Sequence, residues 1–241
     1  MTTMPPTASP SPFTAIDREL EAPCPSREST PDVYRESSIV RIDHITDLVS
    51  IFDESVNVAV LKRRADEAVQ REVPRAIEQR VSMKLALDVA PTGRAGLRAE
   101  LGAFPALADD VWTWVEMLSD LCEVQTIGVR LARLERAMCP RFHVDRLALR
   151  LVCTYDGAAT EFIDDAYVDR ARLGHAAGGL DDLRSGLIRA GGAIDSAATG
   201  DVVLLKGEAW PGNDGRGAVH RSPAATPRNP RLVLTLDLLG G

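Results

Sequence analysis

The sequence lacks the short motifs by which several common enzyme and metal-site classes are recognised. It has four cysteines, at positions 24, 122, 139 and 153, and no two of them form a C-x-x-C pair. A zinc finger is therefore not expected. No G-x-S-x-G motif marks a nucleophilic serine, and no P-loop motif marks a nucleotide-phosphate site. These absences argue against serine hydrolases with a nucleophile elbow and against P-loop nucleotidases.

The chain also lacks an excess of positive charge and any long apolar run. It carries 28 Lys and Arg residues against 35 Asp and Glu residues, a formal net charge of −7, whereas nucleic-acid binding needs a face rich in Lys and Arg. No stretch approaches the length of a transmembrane helix. The N-terminus MTTMPPTASPSPFTAIDREL has neither the basic nor the apolar segment of a secretory signal. We therefore expect a cytoplasmic protein that binds neither nucleic acid nor membrane.

Two parts of the chain differ in composition. Residues 1–36 are rich in Pro, Ser and Thr and poor in large apolar residues, which predicts a disordered N-terminal extension. Residues 37–241 are predicted to form a single domain. The chain is 45% hydrophobic, and a domain of this length can bury a substantial core.

The pattern of the predicted domain changes near residue 126. Before it, helical patterns cover residues 64–80 and 104–125, and strand-like segments cover residues 55–63 and 83–89. From about residue 126 to 241, short alternating runs separated by Gly, Pro and Asp are typical of an all-β sandwich or barrel. We predict a helical N-terminal part packed outside a metal-binding β-barrel core at about 126–241.

A histidine and an aspartate open the run HVDRLALRLVCTY, residues 143–155, which alternates like one strand. Residues i and i+2 of a strand point to the same face, so His143 and Asp145 are predicted to project together. A third metal ligand is available from His220, which lies in the short β-like segment GAVHRSP, with 74 residues between it and Asp145. Two histidines and one carboxylate form the facial triad of non-heme Fe(II) oxygenases, which leaves open positions on the metal.

Further candidate binding residues share the alternation of two predicted strands. Arg231 follows His220 after ten intervening residues, and Arg231, Val233 and Thr235 share one strand face. A guanidinium binds a carboxylate through two parallel hydrogen bonds, and the Thr235 hydroxyl can add a third. Tyr155 shares the parity of His143 and is predicted to hydrogen-bond a carboxylate in the same site.

The pattern H-x-D … H followed by Arg resembles the Fe(II)/2-oxoglutarate-dependent oxygenases. The resemblance implies an α+β chain built on a double-stranded β-helix, a cupin-like jelly roll, with flanking N-terminal helices. It also implies Fe(II) on His143, Asp145 and His220. The co-substrate 2-oxoglutarate would be held by Arg231, together with Thr235.

A second resemblance covers the chain from about residue 40 onward. The segments CPRFHVD, TY followed by TEF, LLKGE and HRSP are similar to a bacterial domain-of-unknown-function family, number 1826. Some members of that family are found beside genes for zinc homeostasis. This resemblance implies no particular reaction, and it gives a weak link to metal supply.

Three hypotheses for function follow. The first is an Fe(II)/2-oxoglutarate-dependent dioxygenase that acts on an unknown substrate. The second is a non-enzymatic, cupin-like metal-binding protein linked to zinc homeostasis, which would bind Zn(II) through the same triad joined by Cys139 or Cys153, or through Cys139, His143 and Cys153. The third is an interaction module whose metal site has decayed. The sequence leaves the metal, the substrate and the oligomeric state open.

Overall fold

The fold is seen in a computed structural model that describes Met1, residues 37–174 and residues 178–239. Apart from Met1, the predicted disordered extension at 1–36 lies outside the described residues. The strands are β1 (Ile39–Ile42), β2 (Val58–Leu61), β3 (Ser82–Asp88), β4 (Thr126–Leu134), β5 (Leu149–Asp156), β6 (Glu161–Ile163), β7 (Asp195–Ser196), β8 (Val202–Lys206), β9 (Val219–Arg221) and β10 (Arg231–Leu238). The helices are α1 (Glu67–Glu78), α2 (Pro91–Glu100) and α3 (Pro105–Cys122), and short 3₁₀ helices cover Ile45–Phe52, Asp165–Tyr167 and Arg170–Arg172.

The strands form a large sheet and a small sheet. The large sheet has the order β1-β2-β8-β5-β10-β4-β3, and the small sheet has the order β7-β6-β9. All pairs are antiparallel except β1 with β2. The residues before 126 therefore contribute three strands to the large sheet as well as the helices.

Successive side chains of a strand point to opposite faces of the large sheet, and both of these faces are buried. On β10, Leu232, Leu234 and Leu236 belong to the core that packs against the helices, whereas Val233 belongs to the core between the two sheets. The small sheet contributes Phe162 to that second core. Burial of both faces explains why the central strands are almost wholly apolar, as expected for a sheet covered on both sides.

Helix α3 covers the outer face of the large sheet. Its Leu107 and Val111 are fully buried, as the helical periodicity predicts. The helix begins with Pro105 at its first position, where a missing N–H costs nothing. The carboxylate of Glu72 on α1 accepts a 2.8 Å hydrogen bond from the Leu107 N–H, which satisfies one of the free donors of the α3 N-terminus.

The run at 143–155 is not a single strand, and this corrects the sequence-based prediction. His143 pairs with His220 in an isolated antiparallel bridge that extends the small sheet beyond β9. The large-sheet strand β5 begins only at Leu149. Residues 144–148 therefore cross from one sheet to the other. The alternation of side chains between two faces is not maintained along this segment.

Two sheets packed face to face, with helices outside the larger one, confirm the predicted α+β class and the jelly-roll architecture. The described residues between Asp145 and His220 include the strands β5 to β8 and the first residue of β9. A search of the described helices for a long apolar segment that could cross a membrane finds none.

Candidate metal centre

Three potential metal ligands meet at one end of the space between the sheets. Their ligand atoms all lie within 4.8 Å of one another. His143 Nε2 lies 3.6 Å from Asp145 Oδ1, and His220 Nε2 lies 3.5 Å from Asp145 Oδ2. His143 and His220 are held side by side by reciprocal backbone hydrogen bonds of 3.0 Å. The structure thus brings together the three residues that the sequence selected, although the chain reaches Asp145 by a crossing segment and not along a strand.

Backbone carbonyls orient both imidazole rings. His143 Nδ1 lies 3.0 Å from the Arg141 carbonyl oxygen, and His220 Nδ1 lies 3.0 Å from the Ala218 carbonyl oxygen. Because a carbonyl can only accept, Nδ1 carries the proton in each ring, and Nε2 is left to face Asp145. Burial lowers the pKa of His220 to about 4, so this ring is neutral at neutral pH, as a metal ligand must be.

Arg150 on β5 fixes the third ligand. Its Nη1 donates to Asp145 Oδ2 at 2.8 Å, while Nε and Nη2 donate to both carboxylate oxygens of Asp237 at 2.7 and 2.9 Å. Burial pushes the pKa of Asp145 up, but the hydrogen bond from His143 and the positive charge of Arg150 help to outweigh it, so the pKa lies below its ordinary value. Asp145 is therefore an ionised, oriented carboxylate at neutral pH.

Gly207, directly after β8, allows the segment that carries Asp145 to pack closely. The backbone N–H of Glu208 donates to the Asp145 carbonyl at 2.9 Å. A Cβ on Gly207 would lie 1.9 Å from the Leu147 carbonyl oxygen and 2.9 Å from that of Asp145. No side chain larger than hydrogen fits here unless the segment moves.

Arg231 is a buried charge without an anionic partner. It is 2% exposed, and its guanidinium donates to three neutral oxygens: the Ala158 carbonyl, Ser222 Oγ at 2.6 Å and Thr154 Oγ1 at 3.4 Å. Among the described residues, no carboxylate forms an ion pair with it. Burial lowers its pKa to about 10, which still leaves the group charged at neutral pH. An unpaired buried charge is costly, so the site is suited to an anionic ligand.

One pocket joins Arg231 to the two histidines. Thr235 also lines it, as do the apolar side chains of Leu134, Val152 and Val233 and the polar side chains of Thr160 and Ser222. The predicted alternation of Arg231, Val233 and Thr235 along β10 therefore places all three in the pocket of the two histidines. Their role in binding a co-substrate stays a prediction.

Tyr155 is not brought to this pocket, and the prediction made for it is corrected. Its hydroxyl donates to Asp110 Oδ2 on α3 at 2.6 Å. Asp110 also receives two hydrogen bonds from Arg63, on the helix side of the large sheet. The prediction relied on strand parity counted from His143, which fails at the crossing of residues 144–148.

Neither Cys139 nor Cys153 joins the triad. Cys153 packs in the core between the large sheet and the helices, and burial raises the pKa of its thiol to about 11. Cys139 is exposed and lines the pocket mouth, but its sulfur is not among the clustered ligand atoms. The structure therefore does not assemble the alternative zinc site of Cys139, His143 and Cys153.

Sequence reasoning missed Arg150, Asp237, Ser222 and Gly207. The sequence did hold a signal for Arg150. It is a charged residue within the largely apolar strand β5, and it points to the same inner face as Val152. No signal in the sequence pairs Arg150 with Asp237, because that contact depends on the register of β5 against β10.

The donor set fits a six-coordinate divalent ion that keeps open positions. Two imidazoles and one carboxylate occupy one side, and no cysteine of the described residues belongs to the cluster, whereas closed zinc sites use four protein ligands. The unpaired Arg231 in the same pocket fits a carboxylate-bearing co-substrate. The residues present thus fit Fe(II) and 2-oxoglutarate.

Comparison with solved structures places the fold in a known class. The rice dioxygenase for auxin oxidation is 16% identical, with 84% of this chain and 83% of that chain covered and a TM-score of 0.50. The dioxygenase for auxin oxidation 1 from Arabidopsis thaliana, in a binary complex with 2-oxoglutarate, is 10% identical, with 84% and 92% covered and a TM-score of 0.50. At these identities the likeness shows the fold, which is the double-stranded β-helix of such oxygenases.

The sequence itself identifies the family. Residues 42–237 match the family described as "Protein of unknown function (DUF1826)", and the chain belongs to it. No curated protein matches the chain.

We expect the change Gly207→Ala to weaken metal binding, because the added Cβ displaces the segment of Asp145. The affinity for Co(II), followed by its visible absorption, should fall about tenfold or more, in the range seen when the support of a ligand is lost. Gly96→Ala is the matched control, since a Cβ there meets nothing within 4 Å. An unchanged Co(II) affinity in folded Gly207→Ala protein would contradict the role assigned to this contact.

We expect Arg150→Met to reduce metal affinity about tenfold to a hundredfold, because Asp145 loses the donor that orients it. Asp237→Asn keeps an oxygen acceptor for Arg150 and should have a smaller effect. Titration with Mn(II), followed by electron paramagnetic resonance, measures both variants. Equal losses in the two variants would indicate that Arg150 acts through general stability and not through Asp145.

Proposed function

We propose that the protein is an Fe(II)/2-oxoglutarate-dependent oxygenase. The observation that carries the proposal is the shared pocket of the His143–Asp145–His220 triad and the buried, unpaired Arg231. A metal store needs the triad but has no use for a buried cation beside it. The fold supports the proposal, because the two plant dioxygenases share it.

The triad would hold Fe(II), and each protein group has a defined task. His143 and His220 present Nε2 because their Nδ1 protons are bound to carbonyls. Arg150 keeps Asp145 ionised and pointed at the same centre. Iron with 2-oxoglutarate and dioxygen supplies the oxidising chemistry that no amino-acid side chain can supply.

The far end of the pocket would hold the co-substrate. Arg231 can exchange its contacts with Ser222 and Thr154 for two parallel hydrogen bonds to a carboxylate, and Thr235 lies four residues further along β10 on the same face. The walls formed by Leu134, Val152 and Val233 exclude water around these polar groups. A dry pocket strengthens the electrostatic contacts within it.

The zinc-handling alternative and the cytoplasmic location both remain proposals. The hypothesis of a zinc-handling protein is weakened because Cys153 lies on the opposite face of the large sheet. The cytoplasmic location is supported by the free thiols of Cys122, Cys139 and Cys153, since a reducing compartment keeps cysteines in that form.

An anaerobic titration with Fe(II) and 2-oxoglutarate tests the function. We expect a visible charge-transfer band if 2-oxoglutarate binds to Fe(II) that is held by His143, Asp145 and His220. His143→Ala should abolish the band, and Arg231→Met should raise the 2-oxoglutarate concentration needed for it by about tenfold or more.

Arg231→Lys is the matched control for charge alone. Lysine keeps the cation but loses the two-point geometry, so its effect should lie between wild type and Arg231→Met. The absence of a band in the wild-type protein, combined with tight Zn(II) binding that ignores Arg231, would overturn the oxygenase proposal.

A further inference from the structure

A groove rich in arginine opens beside the metal pocket. We call it the basic groove and define it by Arg80, Arg130, Arg133 and Arg136, with Glu135 as the acidic residue among the described residues that line it. Leu134, Met138 and Cys139 line both the basic groove and the metal pocket. The two spaces therefore adjoin at these residues, and a molecule held in the groove lies beside the metal pocket.

The groove exists because the inner face of the large sheet is left open toward its β3 edge. On β4, Ala132 and Leu134 are buried in the core between the sheets, and Arg130 follows on the same face. Arg130 lies opposite Thr235 of β10 on one side and opposite Lys84 of β3 on the other. Lys84 is exposed, so the small sheet does not extend over this part of the face.

The groove carries positive charge, although the chain as a whole is negatively charged. Four arginines face one glutamate, although the whole chain has a formal net charge of −7. Glu135 pairs with Arg80 at 2.9 Å and also with Arg133. Among the described residues, Arg130 and Arg136 make no side-chain hydrogen bond and no ion pair. Two guanidinium groups are therefore free to bind an anion.

We propose that the basic groove binds the substrate of the enzyme, and that this substrate is a small molecule with carboxylate or phosphate groups. The inference rests on the proposed function, because it assigns the substrate class of the same site. Guanidinium groups match both anions through paired hydrogen bonds. Binding in the groove places the rest of the molecule at the mouth of the metal pocket, next to His143.

A nucleic acid fits the groove less well than a small anion. Single strands are held by aromatic side chains on which bases stack, in addition to basic residues. The groove is lined by arginines together with Leu134, Ala137, Met138, Cys139 and Pro227, and no aromatic residue of the described part of the chain lines it. The acidic balance of the chain also opposes a long phosphate backbone.

Calorimetric titration of the metal-free full chain tests the inference. The probes are citrate for carboxylates and pyrophosphate for phosphates, and a ten-nucleotide single-stranded thymidine oligomer is the third arm. At least one small probe should bind with a stoichiometry of one. Its affinity should fall about tenfold or more in Arg130→Ala/Arg136→Ala, because each lost guanidinium removes charged hydrogen bonds.

The matched control is Arg64→Ala/Arg71→Ala, which removes the same charge from two exposed arginines outside the groove. It should retain wild-type binding, and Arg231→Met shows whether a probe binds to Arg231 instead of the groove. Thermal unfolding verifies that each variant is folded. Which small probe binds more tightly decides between carboxylate and phosphate.

Several outcomes would overturn the inference. These are binding of neither small probe, equal losses in the groove and control variants, loss only in Arg231→Met, or tighter binding of the oligomer through Arg130 and Arg136. The charge-transfer band with Fe(II) and 2-oxoglutarate, measured on Arg130→Ala/Arg136→Ala, keeps the two proposals apart. The band should persist in that variant even where anion binding is lost. Its absence in the wild-type protein would contradict the oxygenase function and would leave the anion-binding groove as a separate result.

Discussion

The ion pairs of Arg150 connect the metal centre to the large sheet. Arg150 stands on β5 opposite Asp237 of β10 and binds that carboxylate through two nitrogens. Its remaining nitrogen holds Asp145, which lies on a segment that belongs to neither sheet. Because β5 and β10 are central strands, the position of Asp145 is tied to the most buried part of the molecule. The two histidines, paired across the small sheet, approach the same point from the other side.

The second constraint is the burial of Arg231 with neutral partners. Burial of a charge without an internal counter-ion costs folding free energy. A binding role for the charge would account for that cost. Here the charge faces the same pocket as two imidazoles, and the basic groove opens at that pocket's mouth. The metal ligands and the buried Arg231 thus share one pocket, and the basic groove adjoins it. This arrangement matches the proposed sites for a metal, a co-substrate and a substrate.

The sequence predicted which polar side chains meet. That prediction used the spacing of His143, Asp145, His220 and Arg231 along the sequence, and it did not depend on the path of the chain between them. Their roles as ligands stay predictions. The alternation along β10 also located Thr235 correctly on the face of Arg231. Parity failed for Tyr155, since the alternating pattern of HVDRLALRLVCTY runs unbroken through a segment where the chain changes sheets. The partnership of Arg150 with Asp237 and the close approach at Gly207 depend on register and packing, which one sequence does not display.

The most direct test of the account is a crystal structure of the protein grown with Mn(II), as an inert substitute for iron, and 2-oxoglutarate. Anomalous scattering would locate the metal without reference to the protein coordinates. The account predicts one strong peak in contact with His143 Nε2, the Asp145 carboxylate and His220 Nε2, and the far carboxylate of 2-oxoglutarate on the guanidinium of Arg231. A metal bound elsewhere, or a co-substrate that leaves Arg231 on Ser222 and Thr154, would contradict it.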